Sequence, residues 1–293
     1  MQRNLEADVI LGIGANAEIV GAVKRALEGE KLCSFREGQA SLKRRAVLTT
    51  LPFYAYLKIA EGCDNRCTYC AIPMIRGRFR SRPMEEIVKE AEGLAAGGVK
   101  ELVVVAQDTT RYGEDLYGSL MLPELLRRLC GIDGFAWIRV LYCYPERITD
   151  ELLDVMASEE KIAKYIDIPL QHANGQVLRR MNRSGDAQSL TALMRKIRQR
   201  VPGITLRTTL IAGFPGETKE QFAELASFVK EVEFDRLGCF AYSVEEGTPA
   251  AALLEHLREK APGRDHHGRP VRHYAPQKRG ACRPCDDGAC RGV

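Results

Sequence analysis

The sequence predicts an α/β fold, an open six-unit (β/α) partial barrel. Two observations carry the prediction. Between Tyr54 and Tyr242 six short β-rich runs alternate with amphipathic helical patterns, which implies right-handed βαβ units around a parallel sheet. That stretch covers about 190 residues, whereas a closed eight-unit barrel takes roughly 250.

Residues 1–48 read as a piece apart. Ala7 to Gly14 is a strand-like run closing in glycines, and Ala17 to Glu28 has a helical pattern. The GIGAN turn between them lacks the G-x-G-x-x-G spacing of a phosphate loop, so strand–turn–helix is the plainer reading. The main unit, 49–252, starts with a strand over Tyr54–Ala60 that runs into a cysteine-bearing loop. A helix over Met84–Ala96 follows, with an acidic first turn and a Gly97-Gly98 stop. Glu101–Ala106 is the second strand, trailed by the polar loop Gln107–Gly118 and a helix near Leu122–Cys130. Ala136–Leu141 is the third, with a helix over Asp150–Ser158. Tyr165–Leu170 is the fourth, with helices near Gln176–Met181 and Ala187–Arg200. Ile204–Ala212 and the helix Thr218–Val232 make the fifth unit, and Arg236–Tyr242 is the sixth strand. Residues 253–293, rich in Arg, Pro, Gly and His with almost no apolar periodicity, are expected to be disordered.

At 293 residues, 45% hydrophobic and 28% charged, the chain has the composition of a soluble globular protein. No apolar run reaches the roughly 18 residues of a membrane span. The net charge of +4 resides in the stretch from Glu255 onward, so the main unit is balanced and gains no support for nucleic-acid binding from charge. Ten cysteines behind an N-terminus without an apolar signal core point to a reducing cytoplasm, where cysteines serve metals or pack.

Cys63, Cys67 and Cys70 stand in C-x3-C-x2-C spacing directly after the first strand, separated by the polar Asp64, Asn65, Arg66 and Thr68. Three cysteines this close, without a fourth ligand beside them, suit three irons of a 4Fe–4S cluster whose fourth iron stays open to a small molecule. A structural zinc site needs four closed ligands, and the fourth would have to come from far along the chain. Cys130, Cys143 and Cys239 are isolated among apolar residues and read as small core residues. Cys282, Cys285 and Cys290 have chelating spacing but no packed frame around them.

With Tyr69 before the third cysteine, the motif resembles the signature of radical S-adenosylmethionine (SAM) enzymes. The longer string KIAEGCDNRCTYCAIP-IRG-RSRP is similar to the methylthiotransferase branch of that superfamily, over about Ala7 to Ala252. AQDTT-YG, at Ala106 to Gly113, resembles the ribosomal-protein-modifying members, whereas the tRNA-modifying sisters tend to read GQNVNSYG. The resemblance implies the same open six-unit barrel, one 4Fe–4S cluster held by Cys63, Cys67 and Cys70, and SAM as cofactor. It further implies radical removal of hydrogen from the β-carbon of an aspartate on small-subunit ribosomal protein twelve, after reduction by an electron donor. No side chain beyond the cluster is assigned a catalytic role.

Family members hold an auxiliary 4Fe–4S cluster through three further cysteines, expected upstream of Met1, and continue past the barrel with a small RNA-binding-type β-barrel. Neither is visible in this sequence, so the chain is expected to be truncated at both ends, and a frameshifted or mis-spliced reading frame would produce such a tail. It is expected to bind one cluster and cleave SAM without completing methylthiolation by itself. A tRNA adenosine methylthiotransferase and an inactive metal-binding fragment are the alternative readings.

Ligands of parallel α/β folds sit at the carboxyl ends of the strands. After strand two, Gln107, Asp108 and Thr109 either meet the methionine moiety of SAM, where the family places such an element, or form an ordinary capping turn. After strand four, Gln171 and His172 line the pocket or serve structure, with Asp167 nearby. Arg179, Arg180 and Arg183 follow, and either face solvent or send one member to the cofactor or substrate. Arg207, inside strand five, needs a partner: the SAM carboxylate or a protein carboxylate. Gly213 to Glu217, at the end of that strand, resembles the adenosine-side element of the family, and its glycines let backbone approach a ligand.

Overall fold

The computed structural model describes residues 7–35, 48 and 50–253. The tail expected to be disordered, with Cys282, Cys285 and Cys290, lies outside the described residues, Leu253 apart. In chain order the elements begin with β1 (Val9–Leu11), α1 (Ile19–Leu27) and β2 (Leu32–Ser34), where β2 pairs β1 in parallel. Next come β3 (Tyr54–Lys58), β4 (Ala60–Glu61), α2 (Ile72–Arg76), β5 (Arg80–Ser81) and α3 (Met84–Ala96). The chain proceeds through β6 (Glu101–Val105), α4 (Glu114–Tyr117), α5 (Leu122–Cys130), β7 (Trp137–Val140) and α6 (Asp150–Ser158). It continues with β8 (Ile162–Gln171), α7 (Gly175–Arg180), α8 (Ala187–Arg200), β9 (Thr205–Ala212), α9 (Lys219–Val232) and β10 (Arg236–Ala241).

β3, β6, β7, β8, β9 and β10 form one six-stranded sheet in that spatial order, and every pairing is parallel. Each strand lies beside its predecessor, with a helix in every crossover, which is the expected six-unit partial barrel. The helix starts are written locally. Thr149, Asn174, Asp186 and Thr218 accept backbone N–H bonds at the first turns of α6, α7, α8 and α9, and the last two complete capping boxes with Ser189 and Gln221.

The helices pack on one face of the sheet. Ala55, Leu57, Leu102, Val104, Ile138, Val140, Ile166, Leu206 and Leu210 point to that face and are buried in a single core with α3, α5, α6, α8 and α9. Alternate positions face the concave side, where some stay open: Tyr56 is 46% and Trp137 57% exposed. A parallel sheet covered on both faces would carry near-continuous apolar strands. Here the concave side bears Glu101, Arg139, Tyr165, Asp167 and Arg207, with Arg139 bonded to Glu101 at 2.6 Å and its guanidinium 4.9 Å above the Tyr165 ring.

The first strand is shorter than expected. β3 stops at Lys58, and Ala60–Glu61 turns away to pair antiparallel with Arg80–Ser81. This small ladder closes the base of the cysteine loop. Cys130 and Cys143 are buried as expected, but Cys239 is exposed: β10 is the sheet's last strand, and none of the described helices covers it.

Candidate metal centre

The cysteine loop leaves β4 through Gly62, whose φ of +78° is left-handed. A Cβ there would fall within 3.0 Å of the Arg78 and Gly77 backbone, so the two sides of the loop meet only because residue 62 has no side chain. Cys63 N donates to Gly77 O at 3.2 Å, and Cys70 N to Cys67 O at 3.0 Å. The loop is stitched to the end of α7: Thr68 N donates to Met181 O, Thr68 Oγ1 to Arg180 O, and Asn182 Nδ2 to Asn65 O and Arg66 O.

Cys63 and Cys67 are buried, Cys70 is half-buried, and all three are free thiols. Burial, with the neighbouring Asp108, Cys67 and Cys70, pushes the Cys63 thiol up to about 11. Burial also raises Cys70. A cationic group at the loop would reverse that balance, since metal ligation deprotonates thiols. Among the described residues no group of three or more His, Cys, Asp or Glu side chains converges closely enough to hold a single metal ion. Three thiols spread along one loop, with no acidic or histidine co-ligand, fit an iron–sulfur cluster by the chemistry of the donor set.

Tyr69 packs on a small cluster of Val177, Met181, Phe214 and Ala250; burial first, then the Cys67 sulfur, raise its phenol. The polar residues at the strand ends divide into two kinds. Asp108 is fully buried and its carboxylate accepts from Asn65 Nδ2 (2.9 Å), Thr110 Oγ1 (2.7 Å) and Arg147 Nη1 (3.0 Å). Thr109 Oγ1 accepts from Ala106 N, as a capping turn does. His172 Nδ1 accepts from Asn174 N at 2.9 Å, so in the neutral ring Nε2 carries the proton and faces Glu217 Oε1 at 3.4 Å. Glu217 Oε2 accepts from Gly213 N and Phe214 N. Arg207 pairs with Asp167 at 2.5 Å across neighbouring strands, so a protein carboxylate supplies a partner. These five side chains hold the loops in place.

The second kind has capacity left over. Gln107 Nε2 donates to Glu61 at 3.1 Å, but its Oε1 is buried with no hydrogen-bond partner. Gln171 ends β8 at φ +70°, and Gly213 directly follows β9 at φ +77° with open space where a Cβ would be. A spare acceptor after β6 and an unobstructed glycine after β9 are thus polar and open features at the carboxyl ends of the strands. Among the arginines after strand four, Arg179 is exposed, Arg180 bonds Gln221 Oε1 at 3.2 Å, and Arg183 is buried. The sequence reading did not single out Tyr144, whose hydroxyl lies 3.2 Å from Cys67 Sγ. It follows the third strand, so the strand-end rule applied to that loop would have found it.

Residues 57–229 match the model of the radical SAM superfamily. The chain belongs to that superfamily. Membership implies a 4Fe–4S cluster and SAM as cofactors. The chain is 52% identical over 257 residues to the ribosomal protein uS12 methylthiotransferase RimO of Lachnoclostridium phytofermentans, covering 87% of this chain and 58% of that one. It is 55% identical over 259 residues to the protein of the same name from Pelotomaculum thermopropionicum, with the same coverage of 87% and 58%. It thus spans less than two thirds of these relatives' length. Among solved radical SAM folds, the methyltransferase TsrM from Kitasatospora setae, with cobalamin and a [4Fe-4S] cluster bound, aligns at TM-score 0.54 and 20% identity over 68% of this chain and 38% of that one. Coproporphyrinogen III oxidase (HemN) from Escherichia coli aligns at TM-score 0.51 and 23% identity over 71% and 48%. Among the described residues no helix is long and apolar enough to cross a membrane.

Proposed function

We propose that this chain is the radical SAM core, over residues 49–252, of a methylthiotransferase that modifies an aspartate β-carbon of small-subunit ribosomal protein twelve in the cytoplasm. The observation that carries the reading is the position of Cys63, Cys67 and Cys70 on one clamped loop at the carboxyl end of the first barrel strand, in a chain half identical to RimO relatives. The three cysteines would each hold one iron of a 4Fe–4S cluster, leaving the fourth open to SAM. Cluster and SAM together supply one-electron chemistry that activates a C–H bond.

The chain's own residues orient and enclose. Gly62 and the β4–β5 ladder fix where the loop emerges. Asn65 and Asp108 tie it to the end of β6. Gln107 Oε1 offers an unused acceptor suited to the SAM ammonium, and Gly213, after β9, leaves its backbone open. His172 and Glu217 hold the β8 and β9 ends together. Within the described residues, Cys63, Cys67 and Cys70 provide for one cluster.

The test of substrate is direct. The anaerobically reconstituted chain, with SAM and reductant, is offered a uS12 loop peptide deuterated at the aspartate β-carbon, or a tRNA anticodon stem-loop deuterated on its target adenosine. Deuterium arriving in 5′-deoxyadenosine from the peptide supports the reading, and transfer from the RNA alone overturns it.

A further inference from the structure

Tyr144 lies just past β7, and Arg183 just past α7. Both are buried, at 9% and 6% exposure. The Tyr144 hydroxyl stands 3.2 Å from Cys67 Sγ. The Arg183 guanidinium carbon lies 4.1 Å from the centroid of the Tyr144 ring. Both are fixed from behind: Tyr144 N donates to Thr110 Oγ1 at 3.0 Å, and Arg183 Nη2 to Pro169 O at 3.0 Å. Arg183 Nε is buried with no hydrogen-bond partner, and no ion pair of Arg183 occurs among the described residues. Glu146 acts on it from a distance without forming an ion pair, and a buried guanidinium held this way is costly unless something nearby uses its charge. What it covers is a phenol ring whose hydroxyl touches one of the three cysteine sulfurs.

We propose that Tyr144 and Arg183 are positioning residues that raise the reduction potential of the iron–sulfur site, Tyr144 by a hydrogen bond to the Cys67 sulfur and Arg183 by a cation stacked behind it. The proposal rests on the assignment of Cys67 as a cluster ligand. A ligating sulfur is a thiolate with no proton, so the phenol must be the donor. Hydrogen bonds to sulfur, local charge and solvent exposure are the protein's levers on cluster potential. One electron from an external low-potential reductant adds a negative charge to the site. A donor hydrogen bond and a buried cation both stabilise that charge more than the oxidised state. The cation over the ring face also draws density from the phenol and makes its O–H a stronger donor.

The test compares wild type, Tyr144→Phe, Arg183→Lys and Arg183→Gln after anaerobic reconstitution. Iron content is measured first, then the midpoint by potentiometric titration followed by electron paramagnetic resonance, without SAM or substrate. Tyr144→Phe is expected to keep wild-type iron and lower the reduced-to-oxidised ratio at fixed poise about tenfold, which is about 59 mV for a one-electron couple. Arg183→Gln is expected to shift in the same direction, and Arg183→Lys by less. Full iron content with Tyr144→Phe and Arg183→Gln titrating like wild type overturns the proposal. If Arg183→Gln fails to fold, Tyr144→Phe decides alone, since it removes one oxygen and keeps the ring. A wild-type chain that takes up no iron would sink the cluster assignment, and the tuning role with it.

Discussion

Asn182 holds Arg66 in place from across the barrel mouth. Its side-chain amide donates to Arg66 O and Asn65 O, each at 3.1 Å, and both Asn182 (φ +56°) and Arg66 (φ +50°) are left-handed. Arginine pays for that conformation where asparagine tolerates it, so the bonds from Asn182 stabilise the strained turn immediately before Cys67. Asn182→Ala is expected to cost about 1–2 kcal/mol, from two lost bonds and a worse left-handed residue. A guanidinium melt measures it. Asn182→Asp, which tolerates the same φ but lacks the donors, should recover only the conformational part.

Gly62→Ala should be far more damaging. The added Cβ would meet Arg78 and Gly77 backbone within 3.0 Å at a φ of +78°. Neither neighbour is a flexible side-chain tip, so the β4–β5 ladder has to open. Loss of several kcal/mol is expected, on the order of 3 or more. Thermal unfolding should fall steeply, and iron uptake with it, while Gly213→Ala, which meets no atom within 4 Å, should retain the fold and bear only its φ of +77°.

The carboxylate of Asp108 joins Asn65, Thr110 and Arg147, three donors from three segments. Asp108→Asn places an N–H where donors converge and removes the charge opposite Arg147, at an expected cost of about 2–4 kcal/mol. A double-mutant cycle with Arg147→Met checks the origin: the second substitution should cost less in the Asn background than in wild type.

Stability should fall in base through a buried thiol remote from the cysteine loop. Burial, then Glu159, raises Cys130 from 9.0 to about 11. The folded value is above the unfolded one, so its stabilisation is complete below pH 9 and disappears as pH rises to about 11. The amount is on the order of 2 kcal/mol. Urea melts at pH 8.5 and 11 on wild type and Cys130→Ala report it, because other titrating groups cancel between the two proteins. The drop should be smaller in the variant.

Much of the barrel was legible because alternation and capping are local. Thr149, Asp186 and Thr218 begin α6, α8 and α9 within a residue of where pattern alone places them. What was hidden depends on partners. Tyr54–Ala60 reads as one strand, and only the pairing of Ala60–Glu61 with Arg80–Ser81 breaks it. Cys239 sits among apolar neighbours and looks like core, yet an uncovered edge strand exposes it. Arg207 demands a carboxylate, and the register that sets it opposite Asp167 belongs to the sheet, not to either strand. The cysteine loop was visible from spacing. The bonds that fix it, from Asn182, Thr68 and Asp108, join segments up to 117 residues apart and leave no local trace.

The central claim, that Cys63, Cys67 and Cys70 hold a SAM-cleaving cluster, is tested most directly by anaerobic iron–sulfur reconstitution with a reductant and SAM. The expected result is about four irons per chain and 5′-deoxyadenosine formation, both lost when any one of the three cysteines is replaced by alanine. Iron uptake that survives replacement of all three, about eight irons per chain, or a loaded chain that leaves SAM intact would contradict it.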